Sequence, residues 1–152
     1  MKRMGLLFCM LFIAINIFAQ EKGFLDIPWG LSQSEVIEIL KSKNINFSIF
    51  SPEAVLADVF IGNRKYNFFF TFKNDKYYQA FSSVKKEAGR NLKNETIDII
   101  NEFKKIHKEP YNFHESNNGL VYFNKKYKDW ELIIGHNPDS LHPMQVTFKL
   151  LE

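Results

Sequence analysis

Cysteine is almost missing from this chain. The only one among 152 residues is Cys9, in the middle of the opening stretch "MKRMGLLFCMLFIAINIFAQ". A single thiol excludes a disulfide framework, and its place upstream of any cleavage point excludes a lipid-modified cysteine at the start of the mature chain. An excess of one charge is missing too: 20 Lys and Arg face 17 Asp and Glu. Lys2 and Arg3 belong to the opening stretch, so the remainder carries a formal charge of about +1, which offers no electrostatic footprint for nucleic acid or anionic lipid.

The catalytic motifs are also incomplete. Gly30-Leu31-Ser32-Gln33-Ser34 approaches the G-x-S-x-G nucleophile elbow and precedes a helix, but it lacks the second glycine that the strained turn needs. The four histidines, His107, His114, His136 and His142, follow no zinc spacing. No cofactor is expected.

The opening stretch runs from a positive start (Lys2, Arg3) through an uncharged apolar run, Met4 to Phe18, to the small residue Ala19. That order is a secretory signal peptide, with cleavage expected after Ala19. The apolar run is short for a membrane span of about 20 residues and contains Asn16, so no transmembrane segment is expected after cleavage. Residues 20–152 then form one mature domain, exported to the periplasm or the cell exterior.

Helix and strand periods alternate along that domain. Ser32 reads as an N-cap with Glu35 closing a capping box, and Val36, Ile37, Ile39 and Leu40 line one side of a helix ending near Asn44. The runs "NFSIF", "AVLADVFIG", "KYNFFFTF" and "KYYQAFSSV" read as strands. Asn74-Asp75 suits a tight hairpin, since both residue types tolerate positive φ. A second helix spans about Asn94 to Lys108 and is ended by Pro110. "YNFHE", "LVYFNK", "DWELIIG" and "MQVTFKLLE" follow, the first two joined by an Asn118-Gly119 turn. Without βαβ alternation nothing calls for a parallel sheet. The expected fold is α+β, with two amphipathic helices packed on an antiparallel sheet of about seven strands, and the halves reading as two degenerate α-β-β-β repeats.

Two segments carry a resemblance. "IPWGLSQSEV" resembles the opening of a type of small exported bacterial protein, and "FKKIHKEPY" resembles a worn form of the helix exit in the same proteins. Their helix-plus-meander units are similar to the fold of the BamE/SmpA-type outer-membrane assembly lipoproteins and the β-lactamase inhibitory proteins. The resemblance implies a protein-binding scaffold. It transfers no functional residue, because the lipidated cysteine of the first family and the disulfides of the second are absent.

The aromatic content is the positive signal: 16 Phe, 6 Tyr and 2 Trp. Phe69 and Tyr78 fall opposite the main aromatic rows of their strands, and Trp29 stands in "FLDIPWG" just before the first helix. These three are the candidate binding residues, Phe69 and Tyr78 on a sheet face that either presents exposed rings or is covered by helices and loops, while Trp29 between Pro28 and Gly30 reads first as packing at a helix entrance. The expected function is a non-catalytic binding or envelope-associated module whose partner is another envelope or secreted protein or peptide. The alternative is a small exported hydrolase or metal-dependent enzyme built on the loop holding His136, Asp139 and His142.

Overall fold

The computed structural model describes residues 22–107 and 113–151. The expected leader with Cys9, and the expected exit of the second helix at Pro110, lie outside the described residues. Two helices, α1 (Gln33–Ser42) and α2 (Leu92–His107), are each followed by four strands. The first set is β1 (Phe47–Ser51), β2 (Ala54–Ile61), β3 (Arg64–Lys73) and β4 (Lys76–Val84). The second is β5 (His114–Glu115), β6 (Val121–Lys126), β7 (Trp130–His136) and β8 (Met144–Leu150).

All eight strands form one sheet in the order β1-β2-β3-β4-β8-β7-β6-β5, with every neighbouring pair antiparallel. This corrects the expectation of about seven strands and of α-β-β-β units: each half is one helix plus a four-stranded meander. Each of the eight apolar runs named above holds one of these strands, the weakest being "YNFHE", of which only His114–Glu115 pairs at the far edge. The two meanders meet through their last strands, β4 and β8.

Local chemistry accounts for the joints. The Ser32 N–H donates to Glu35 Oε2 at 2.8 Å and the Glu35 N–H donates to Ser32 Oγ at 3.4 Å, which completes the capping box of α1. Asn74 and Asp75 both take positive φ, 53° and 56°, as the two central residues of a type I′ hairpin turn require. The Asp75 carboxylate in turn accepts from the Gln33 N–H at 3.1 Å, so the β3–β4 turn also anchors the start of α1. Helix α2 begins at Leu92, ahead of the expected start near Asn94, because Asn91 caps it: Asn91 Oδ1 accepts from the Asn94 N–H at 3.1 Å.

One face of the sheet carries the core. Val55, Phe68, Phe70, Tyr77, Ala80, Leu132, Ile134 and Val146 are fully buried on it, beneath Val36 and Leu40 of α1 and Ile99, Ile100 and Phe103 of α2. The segment before α1 packs onto the same face of the sheet. A single 3-10 turn, Phe24–Asp26, places the Phe24 ring 4.4 Å from that of Phe68 and 4.3 Å from that of Phe148. An isolated bridge between Lys22 and Pro28 closes this loop, and Gly30 and Tyr77 tie it to β4, with the Gly30 N–H donating to the Tyr77 carbonyl at 2.9 Å.

Candidate functional site: the open face of the sheet

Among the described residues no helix lies on the opposite face. Strand register brings one residue from each of seven strands into a single transverse row there: Ser48, Leu56, Phe69, Phe81, Thr147, Ile133 and Asn124. Five of these, Leu56 through Ile133, give the row an apolar middle with one threonine. Phe69 and Phe81 stack at 5.4 Å with their planes 22° apart, and Phe50 meets Phe69 edge-on at 5.4 Å. Phe50 is 69% exposed and Phe60, on the same face, 67%. Alongside runs a polar row, Thr71, Gln79, Lys149, Glu131 and Lys126. Directly opposed aromatic pairs on one face stabilise each other, so Phe69 and Phe81 are held in place half-buried, with Phe50 exposed at their side.

Of the three candidate aromatics, only Phe69 belongs to this arrangement. Tyr78 is the residue skipped where the β3–β4 register shifts, with Thr71 facing Gln79 and Phe72 facing Tyr77. It is half-buried at a bulge, off the aromatic row. Trp29 is 4% exposed and stacks on Tyr77 at 4.7 Å, so its ring is part of the core and lines no surface. Phe50 and Phe81 were not singled out from sequence. Their signal was available in the alternation of their strands, but which face the helices would cover was not.

The histidine loop comes together only in part. His136 ends β7 nearly buried, with its Nδ1 3.0 Å from the Gly119 carbonyl oxygen. His142 lies with it along a small cavity of about 210 Å³ floored by Gly135. Asp139 is exposed, and its N–H is turned to the side chain of Asn137 at 3.0 Å. Among the described residues no group of three or more His, Cys, Asp or Glu is placed to hold a metal ion. Ser32 is committed to Glu35 as a cap, with its hydroxyl also 2.7 Å from Glu35 Oε2.

One buried polar cluster was not foreseen. Glu95, in the first turn of α2, has only 4% of its side chain exposed and is held by two arginines. Arg90 makes a bidentate contact, Nε to Oε1 at 3.0 Å and Nη2 to Oε2 at 2.7 Å. Arg64 Nη1 reaches Oε1 at 2.5 Å, and the Tyr66 hydroxyl donates to Oε2 at 3.4 Å. The hydrogen bonds from Arg90 hold the Glu95 carboxyl below its ordinary pKa, against the opposing pull of burial. Burial, with the Glu95 charge beside it, pushes the Tyr66 phenol up to about 12. The cluster has the chemistry of a clamp between α2 and β3 rather than of a reacting centre, because every acceptor on the carboxylate is engaged by a cation or a phenol.

On the helix-covered face a cavity of about 440 Å³ opens beside the 3-10 turn. Its walls are Phe24, Val59, Ile61, Phe103, Trp130 and Phe148, and Leu25 and Asp26, both at positive φ, form part of its rim.

Comparison with protein-family models, with curated proteins and with solved structures gave no match. The class therefore rests on the architecture: an α+β protein of one eight-stranded antiparallel sheet, helices on one face and an aromatic row on the other. No helix among the described residues is long and apolar enough to cross a membrane.

Proposed function

We propose that this protein is an exported, non-catalytic binding module, and that it engages another envelope or secreted protein or peptide through the open face of its sheet. The observation that carries this reading is the register itself. It aligns Leu56, Phe69, Phe81, Thr147 and Ile133 on the uncovered face, with Phe50 packed edge-on against them. An exposed contiguous apolar patch rimmed by polar groups marks an interaction surface, and rings fixed by neighbouring rings lose little entropy on binding. The expected leader and the resemblance to BamE/SmpA-type scaffolds agree with a protein partner in the cell envelope.

The test is affinity capture from envelope extract at physiological salt, using wild type beside the double variant Phe50→Ser/Phe81→Ser. Support is a partner retained by wild type and lost from a variant whose circular dichroism is unchanged. A partner held equally by both, or no specific partner at all, overturns the reading.

A further inference from the structure

We infer that β1 is the self-association edge of this protein, joining two copies about a two-fold axis into one continuous sixteen-stranded sheet.

The direction of the backbone groups comes first. The Asp58 N–H donates to the Asn46 carbonyl at 2.9 Å, which marks Asn46 and Asp58 as a hydrogen-bonded pair in the β1–β2 register. Antiparallel pairs alternate. Ser48, opposite Leu56, therefore turns its N–H and C=O toward β2, while Phe47 and Ile49, opposite Ala57 and Val55, turn theirs to the open edge. Among the described residues β1 is the end of the sheet. Its sequence "FSIFS" carries no charge and no proline, the devices that ordinarily guard an edge strand, and Ile49 and Phe50 are 62% and 69% exposed.

This edge is complementary to itself. With Ser48 on the two-fold axis, Phe47 of one copy faces Ile49 of the other, and the two pairs exchange four backbone hydrogen bonds. The two Ser48 residues meet as a non-hydrogen-bonded pair, the closely spaced kind with Cα atoms about 4.5 Å apart, which a small side chain suits. Phe47 of each copy covers the exposed Ile49 of its mate. The shift in register between Ile49 and Ser51 bends the strand beyond this window and limits the contact to it.

Ser48 is also the end of the transverse row on the open face, so pairing would make the two rows collinear across the axis. The contact buries on the order of 300 Å² per copy, well below the roughly 800 Å² of a standard interface, so association is weak and concentration-dependent. This inference stands independently of the partner proposed above: dimerisation is read on the purified protein alone.

The test is sedimentation velocity of the purified chain from about 10 µM to about 1 mM, the range where interfaces of this size assemble. Wild type is expected to shift from monomer to dimer, and Ser48→Lys, which sets two like charges face to face, to raise the midpoint at least about tenfold. In a chain carrying Cys9→Ser, Ser48→Cys is expected to cross-link under mild oxidation, since such a pair meets disulfide geometry. Ser83→Cys, exposed on the same face but away from β1, is not. A sedimentation coefficient independent of concentration, an assembly unmoved by Ser48→Lys, or equal cross-linking at both positions overturns the inference.

Discussion

Gly23 lies against the indole of Trp29 so closely that a Cβ on Gly23 would stand 2.7 Å from Cε2 and 2.8 Å from Cζ2. The indole cannot easily retreat, because Tyr77 stacks on it at 4.7 Å and Trp130 lies 6.5 Å away. The stretch "FLDIPWG" is thus a packed wedge against the sheet, immediately ahead of α1. Gly23→Ala is expected to destabilise the fold by about 1–3 kcal/mol through overpacking, seen as a lower Tm with a changed near-ultraviolet tryptophan signal. An unchanged Tm would contradict this account of the wedge.

The Glu95 clamp sets the acid limit of stability. Its carboxyl is held below the ordinary value of 4.5 in the folded state, so between that value and the lower folded one the unfolded chain binds a proton that the folded chain does not. Stability from this group is therefore complete above about 4.5 and is lost as pH falls through the folded pKa. Glu95→Gln should cost about 2 kcal/mol at neutral pH, less than the roughly 3–5 of a fully buried pair because Arg64 and Arg90 reach water. Urea unfolding at pH 7 and at pH 4 checks both points: the variant should lose less stability between the two than wild type.

At the alkaline end the sign reverses. Tyr66, raised to about 12 by burial and by Glu95, keeps its proton when the unfolded chain has lost it, so stability falls as pH rises from about 10 toward 12. Tyr77 is pushed higher still by burial, opposed only by the backbone of Phe24. A spectrophotometric tyrosine titration of the folded protein should therefore lack two phenols near pH 10, and recover them in denaturant. Tyr66→Phe should restore one fewer.

The two faces of the sheet predict opposite outcomes for the rings they carry. Phe68→Ala, in the core at 0% exposure, should cost about 3–5 kcal/mol. Phe50→Ser, on the open face beside Phe69, should stay within about 0.5 kcal/mol while lowering the binding of an apolar dye. Chemical denaturation of the two variants checks the assignment of faces, and a large loss for Phe50→Ser would mean that this face is covered.

Much of the local build was legible because short-range chemistry decides it. Ser32 and Glu35 are three residues apart, and Asn74-Asp75 is a dipeptide signal; both act within a single turn. The bulge at Tyr78 was not legible, since alternation across "KYYQAF" reads straight through the extra residue. Nor was the Glu95 clamp: a carboxylate in a first helical turn ordinarily sits at the surface, favoured by the helix dipole, and the Tyr66 that meets it lies 29 residues away. The aromatic row was half legible. Period-two spacing put Phe69 opposite its neighbours, but only long-range register lines it up with Phe81, Thr147 and Ile133.

The order of strands also bears on synthesis. β4 finds its outer neighbour only in β8, the last strand in the chain. As the chain is synthesised, the first half can close its own meander while the outer edge of β4 stays unpaired until residues 144–150 emerge. During that interval the nascent chain displays a second adhesive edge beside β1, and a chaperone that shields extended segments would find its substrate there.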